Sequence, residues 1–246
     1  MSITRIIPRR GINDEGKGKK FALHKLIAAA KTDYVWLQDD DVIAPKDEPD
    51  VQADMLILPL RMDGGQTLLE RLQRAEYAAL QQITIETAKQ GKPVLCSGAN
   101  LIVHRDRWLE SWPDLHEEIP SGDDMFLLES FKRRGLTIDV LDLECYTAIV
   151  HPQTSWKAFF RQRMRWAGKA PHYKDKDIRR YGAIVLIANI LQLLCPLIIL
   201  FKFPFEYRLI KKRDASVSLI DAFLLELLYP FYMLICIIGG LFRHAW

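Results

Sequence analysis

The stretch Tyr34-Val35-Trp36-Leu37-Gln38-Asp39-Asp40-Asp41 decides the fold, because an apolar run ends there in a cluster of acids. An apolar run of this length has the size of a buried strand, and carboxylates gathered at its end repel one another unless a cation neutralises them. Hard oxygen ligands suit Mg²⁺ or Mn²⁺, and Mg²⁺ is usually held by one or two carboxylates together with substrate phosphates. The stretch therefore predicts a strand of an α/β sheet with a divalent metal and a nucleotide-linked substrate at its end. A solvated acidic turn is the competing interpretation.

The spacing of these acids separates three metal-binding motifs. A DDxxD motif of the prenyl-diphosphate kind requires an acid where Ile43 stands, and a DxDxT phosphatase loop requires Thr at the same position. A DxD motif fits instead, because side chains two apart in an extended chain share a face. Asp39 and Asp41 are the candidate ligands.

Short apolar segments alternate with longer amphipathic ones up to about residue 180, which is typical of an α/β domain. Strands are predicted at 3–7, 34–37, 55–60, 94–96, 101–104, 137–141 and 146–150, and helices at 19–31, 66–89, 124–134 and 155–169. The sequence thus predicts a domain over residues 1–180 and a membrane region over residues 181–246.

The membrane region contains two long apolar stretches. Residues 181–201 carry no formal charge, and residues 222–242 are interrupted only by Glu226. At about 1.5 Å per residue each helix crosses a hydrocarbon core of roughly 30 Å. Two membrane helices are predicted, with buried helices of a soluble core as the alternative.

Charge raises a question about the orientation of this region. If the catalytic domain is cytoplasmic, a first membrane crossing places the 202–216 loop on the external side. The positive-inside rule, however, predicts that so basic a loop stays on the cytoplasmic side. A first segment that re-enters the membrane, bent at Pro196, resolves the conflict. The basic residues are Lys202, Arg208, Lys211, Lys212 and Arg213.

Overall composition excludes several classes of protein. The net charge of +3 is too small to indicate a nucleic-acid partner, and the cysteines have no CxxC spacing that predicts zinc or disulfides. Residues 1–30 are basic and lack the apolar core of a secretory signal. We expect an integral protein of the plasma (inner) membrane with its catalytic domain in the cytoplasm.

Ser121-Gly122-Asp123-Asp124 opens a predicted helix. Carboxylates in a first helical turn are stabilised by the free N–H groups and the macrodipole, so capping explains one of them. The adjacent acid remains available as a general base, a role that requires a side chain within hydrogen-bond reach of a substrate hydroxyl. Asp124 is the candidate.

Two further segments carry ligand-binding chemistry. Gln162-Arg163-Met164-Arg165-Trp166 places an amide, guanidinium groups and an indole on one helix, where Arg can bind phosphate and Trp can stack on a sugar ring. A membrane-surface helix is the alternative. Ser97-Gly98-Ala99-Asn100 gives a small-residue turn that a ligand can approach closely, or a simple turn.

The order and spacing of these motifs, followed by apolar segments, resemble the membrane-associated glycosyltransferases of family 2, which include cellulose, chitin and hyaluronan synthases and ceramide glucosyltransferase. The resemblance covers residues 11 to 180, and its most specific part is the QxxRW match at 162–166. The segment Gly18-Lys19-Lys20-Phe21-Ala22-Leu23 is similar to the family's GK-x-x-AL helix start, with His24 in place of Asn.

The resemblance implies a GT-A-like (Rossmann-like) mixed sheet with flanking helices, followed by C-terminal transmembrane helices. It also implies transfer of a sugar, with inversion, from a nucleotide-sugar donor to a lipid or saccharide acceptor. Asp41 and Asp39 match the metal-binding DxD motif, with Asp39 also contacting the donor, and Asp124 matches the catalytic base. The remaining substrate-binding positions are Asp123, Gln162, Arg165 and Trp166.

The chain departs from the family at its beginning. Family members start with a strand of the VIIPxxNE kind and a second strand whose Asp holds the nucleotide base. Ile6-Ile7-Pro8 resembles the first of these strands, but it lies too close to Lys19 for the intervening unit. We therefore expect an N-terminally incomplete domain that binds its donor poorly.

Two other functions use the same residues. A catalytically incomplete membrane scaffold or partner-binding protein needs no catalysis by Asp124. A metal-dependent phosphoryl-transfer enzyme uses the Asp cluster but gives Trp166 no role.

Overall fold

The computed structural model describes residues 2–9, 18–119 and 121–242, and divides the chain into two compact units. The first unit contains residues 1–61 and 84–150, and the second contains residues 62–83 and 151–246. The strands are β1 (Ile3–Ile6), β2 (Tyr34–Leu37), β3 (Met55–Ile57), β4 (Leu60–Met62), β5 (Leu101–His104), β6 (Ile138–Val140) and β7 (Ala148–Val150). The helices are α1 (Lys19–Ala29), α2 (Leu68–Lys89), α3 (Arg105–Glu110), α4 (Asp123–Arg133), α5 (Trp156–Ala167), α6 (Lys176–Leu194), α7 (Ile199–Arg213) and α8 (Leu219–Phe242).

A mixed five-stranded sheet of order β1-β2-β5-β3-β6 forms the centre of the first unit. β1 runs parallel to β2, β5 runs antiparallel to both β2 and β3, and β6 runs parallel to β3. The central strands β2 and β5 have the predicted bounds, because their apolar residues are almost completely buried. The expected mixed α/β sheet with flanking helices is confirmed.

Some strand and helix predictions for the first unit are wrong. The expected strand 55–60 divides into β3 and β4, since Pro59 has no N–H to donate to a ladder. Residues 94–96 form no strand although Val94 and Cys96 are buried, because burial alone does not require strand pairing. Helix α3 was not predicted from the sequence, being only 6 residues long.

The second unit is helical, and the structure corrects the prediction for its first apolar segment. Residues 181–201 are not one helix: α6 ends at Leu194, Cys195 is extended with φ −136° and ψ 90°, and α7 begins at Ile199. The cause is Pro196, which disfavours helical geometry in the preceding residue. The five basic residues expected in a loop at 202–216 all lie in α7, which ends at Arg213.

Helix α8 contains the apolar span Leu219–Leu241, which has 23 residues. Within residues 2–9, 18–119 and 121–242 this is the one helix long and apolar enough to cross a membrane, whereas two such helices were expected. Close packing joins α8 to α5: a Cβ atom at Gly240 would lie 2.9 Å from the carbonyl oxygen of Met164. Glycine therefore permits this helix contact.

Candidate active site

Lys19 joins two carboxylates at the end of the central sheet. Its Nζ lies 2.7 Å from Oδ1 of Asp39, which follows β2, and 3.3 Å from Oδ2 of Asp123, which begins α4. Burial alone would lower the pKa of Lys19, but the attraction of Asp123 and Asp39 is stronger and raises that pKa above its usual value. The ammonium group therefore stays charged and holds both acids in place.

The adjacent acids Asp123 and Asp124 have different environments. Asp123 is 7% exposed and paired with Lys19. Asp124 is half-buried; its Oδ1 accepts a hydrogen bond from the N–H of Met125 at 2.7 Å, and its Oδ2 accepts a long one from Gly98 at 3.4 Å. Each Asp124 oxygen therefore has acceptor capacity left for a substrate hydroxyl.

The small-residue turn at 97–100 lies directly against these acids. A Cβ atom on Gly98 would come within 3.2 Å of Oδ2 of Asp123 and 3.7 Å of Nζ of Lys19, so only glycine leaves this space open. Asn100 has a structural role: its Oδ1 accepts from Trp36 Nε1 at 2.8 Å, and its Nδ2 donates to the carbonyl oxygens of Pro59 and Tyr146. The turn thus leaves room for a ligand at Gly98, while the hydrogen bonds of Asn100 hold its other end in place.

The carboxylates of Asp39 and Asp41 fit a divalent metal only with additional ligands. Asp39 is half-buried and Asp41 is exposed. Among the described residues, no group of three or more His, Cys, Asp or Glu side chains is placed to enclose an ion. Mg²⁺ or Mn²⁺ is commonly bound by one or two carboxylates and completed by substrate phosphates, and two Asp residues at positions 39 and 41 fit that arrangement.

Gln38 is a residue that sequence reasoning missed. It is 2% exposed, and neither Nε2 nor Oε1 of its side chain has a hydrogen-bond partner among residues 2–9, 18–119 and 121–242. An unsatisfied buried amide costs about 1–3 kcal/mol, so its retention beside Asp39 calls for an explanation. Gln is a common residue, so the sequence alone gave no reason to single out Gln38 as a candidate site residue.

The other unusual position, His24, has a packing role. Its ring stacks on Trp112 with centroids 4.1 Å apart and lies 5.7 Å from the ring of Trp108. Burial lowers the pKa of His24 below its ordinary value. The replacement of Asn by His at this position of the GK-x-x-AL segment is accommodated by an aromatic cluster.

In the second unit, Arg163 organises the QxxRW segment. Its guanidinium is 5% exposed, contacts Glu76 Oε2 through Nη2 at 2.5 Å, and donates to Gln162 Oε1 at 2.5 Å. The same group lies 4.2 Å from the ring centroid of Trp166. Arg163 therefore orients two predicted binding residues, Gln162 and Trp166, while Arg165 is exposed on the same helix.

The structure brings Asp39, Asp123 and Asp124 together in the first unit, around Lys19. Asp41 is in the same turn as Asp39 but is exposed and has no ion pair within the described part of the chain. Lys19 had a signal in the sequence, the GK pair at a helix start. Arg163 had none that identified its role, since its partner Glu76 is 87 positions away. The predicted residues Gln162, Arg165 and Trp166 belong to the second unit.

Comparison with known proteins gives one family. Residues 2–169 match the family model described as "Glycosyltransferase like family 2". No curated protein matches the chain. The matched region includes every predicted site residue.

Proposed function

The chain belongs to the family 2-like glycosyltransferases, and we propose that it transfers a sugar, with inversion, from a nucleotide-sugar donor to a hydroxyl group, using Asp124 as the base. The family implies a nucleotide-sugar donor and a saccharide acceptor, and a lipid acceptor is also part of the proposal. The observation that carries the proposal is the cluster in which Lys19 fixes Asp39 and Asp123 and leaves Asp124 accessible.

The proposed chemistry is a single displacement. A carboxylate oxygen of Asp124 takes the proton from the acceptor hydroxyl as the acceptor oxygen forms a bond to the anomeric carbon. The bond from that carbon to the diphosphate oxygen breaks, and its electron pair leaves with the nucleoside diphosphate. Backbone N–H groups of Gly98 and Met125 hold the base in position.

Negative charge develops on the departing diphosphate, so preorganised positive groups accelerate the step. The exposed guanidinium of Arg165 is proposed to bind the diphosphate, with Gln162 and Trp166 at the donor and acceptor site. Asp39 and Asp41 would hold Mg²⁺ or Mn²⁺, which when bound neutralises phosphate charge. Lys19 serves as a positioning residue for Asp39 and Asp123.

We also propose that the second unit is embedded in the plasma (inner) membrane and that the first unit faces the cytoplasm. Support comes from the apolar span in α8 and from the many large apolar side chains that α6, α7 and α8 expose. The break between α6 and α7 is compatible with a segment that enters the membrane and returns. Examples of the exposed side chains are Leu194, Leu200, Phe201, Phe205, Phe231 and Ile238.

The test is release of nucleoside diphosphate from a panel of UDP- and GDP-sugars by detergent-solubilised protein with Mn²⁺. Asp124→Asn should lower kcat by about 10²- to 10⁴-fold, the usual contribution of a general base, without changing the melting temperature. Asp47→Asn, at an exposed acid outside the cluster, is the control and should retain full activity.

Metal use is tested in the same assay with a matched pair. Asp41→Asn should raise the Mn²⁺ concentration needed for half-maximal activity, while Asp40→Asn, at the neighbouring exposed acid, should not. Activity that survives both Asp124→Asn and complete chelation would contradict the proposed mechanism. A folded wild-type protein that releases no nucleoside diphosphate from any donor would favour a scaffold function.

A further inference from the structure

A cavity of about 220 Å³ lies within the second unit, between α2, α5 and α8. It exceeds the roughly 150 Å³ of an apolar cavity that binds benzene. Its walls are mainly aliphatic and aromatic side chains. They include Leu72, Phe159, Leu225, Leu228, Phe231 and Ile235.

The polar residues Gln73, Glu76 and Tyr232 line the cavity, and each has a hydrogen-bond partner within the second unit. Gln73 donates to the carbonyl oxygens of Leu69 and Gln153 and accepts from the N–H of Gln153 at 2.9 Å. The carboxylate of Glu76 binds Arg163, and the hydroxyl of Tyr232 donates to it at 2.5 Å. Because these groups already have partners, the space favours a hydrocarbon over water or a polar ligand.

The cavity has exposed apolar residues at its edge. Leu228, Phe231 and Ile235 line it and are 43%, 59% and 50% exposed. These residues belong to α8, the helix that can cross a membrane. Trp156, at the start of α5, also lines the cavity and is half exposed, and Trp side chains favour the boundary between hydrocarbon and headgroups.

Positive charge lies next to this edge. Lys157 and Arg161 are one helical turn apart on α5 and adjoin the cavity residues Trp156 and Phe160. Both basic residues are exposed, and neither forms an ion pair with another described residue. A cation at this level of a bilayer attracts an anionic headgroup.

We propose that this cavity binds one acyl chain of an anionic phospholipid from the surrounding bilayer, with the lipid phosphate on Lys157 and Arg161. The bound lipid fills the space beside the Glu76–Arg163 pair and fastens α5, which carries the QxxRW segment, to the membrane. The proposal uses the membrane placement proposed above and is independent of the transfer reaction.

The probe is phosphatidylglycerol with a photoreactive diazirine in one acyl chain, added to purified protein in nanodiscs. Peptide mass spectrometry should find the label on α5 and α8 residues that line the cavity. Leu228→Trp places a larger side chain at the cavity and should reduce labelling by about tenfold, equivalent to about 1.4 kcal/mol of binding free energy. Leu227→Trp is the matched control, since Leu227 is 42% exposed and does not line the cavity, and it should leave the label unchanged.

Binding of the lipid headgroup is tested by substitutions of the exposed residues Lys157 and Arg161, which do not disturb the core. Lys157→Gln or Arg161→Gln should each reduce labelling by phosphatidylglycerol about fivefold, equivalent to about 1 kcal/mol, and leave labelling by the phosphatidylcholine analogue unchanged. Equal labelling by the two lipids, equal loss in Leu227→Trp and Leu228→Trp, or labelling by a polyprenyl phosphate alone overturns the proposal.

Vesicle flotation separates this proposal from the membrane placement. Protein that floats with vesicles but shows no cavity label refutes the lipid site alone. Protein that does not float refutes both. Sugar-transfer activity is not needed for any of these measurements.

Discussion

The buried ion pair of Glu76 and Arg163 gives the sharpest prediction for stability. The two side chains are 7% and 5% exposed, are 2.5 Å apart, and share their surroundings with the hydroxyl of Tyr232. Glu76→Gln preserves size but leaves the Arg163 charge buried without a counter-charge. Breaking such a pair costs about 3–5 kcal/mol, so we expect the free energy of unfolding to fall by that amount.

The assay is denaturant unfolding of the detergent-solubilised protein, followed by tryptophan fluorescence. Glu144→Gln is the control, because the Arg61–Glu144 pair has a similar contact of 2.5 Å but exposures of 45% and 74%. Loss of an exposed pair should cost no more than about 1 kcal/mol. A larger loss of stability in Glu76→Gln than in Glu144→Gln would show that burial of the ion pair causes the difference.

A double substitution tests the reasoning further. Glu76→Leu with Arg163→Met removes both charges and should be less destabilising than either single change, because no charge remains uncompensated. Donor KM should still rise in the double variant, since Gln162 and Trp166 lose the guanidinium that orients them. A loss below about 1 kcal/mol in Glu76→Gln, or additive effects in the double variant, would refute the argument.

One further prediction concerns a single buried side chain. Gln38→Met should raise the free energy of unfolding by about 1–2 kcal/mol by removing an unsatisfied buried amide, and should raise donor KM if that amide binds the donor; unchanged KM would exclude that role.

Much of the first unit was predictable because its signals are local. The apolar runs that became β2 and β5, and the acids that follow β2, are contiguous in sequence. The helix that begins at Asp123 was recognisable from Gly122 and the adjacent carboxylates. The prolines Pro59 and Pro196 were visible in the sequence, but it was not predicted that Pro59 would divide a strand and that Pro196 would divide a helix.

The sequence by itself determined the alternation of strands and helices, the acidic cluster after β2, the QxxRW segment and the apolar C-terminus, because each is set by neighbouring residues and their periodicity. Only the tertiary structure decided that Lys19 joins Asp39 to Asp123 and that Arg163 is buried against Glu76. It also decided that the buried side chain of Gln38 has no hydrogen-bond partner in the part of the chain that the structure describes. These facts depend on side chains that are far apart in the chain, or on the exclusion of water by packing. Neither long-range proximity nor burial is encoded in local sequence, so the electrostatics of the site emerge only when the chain is folded.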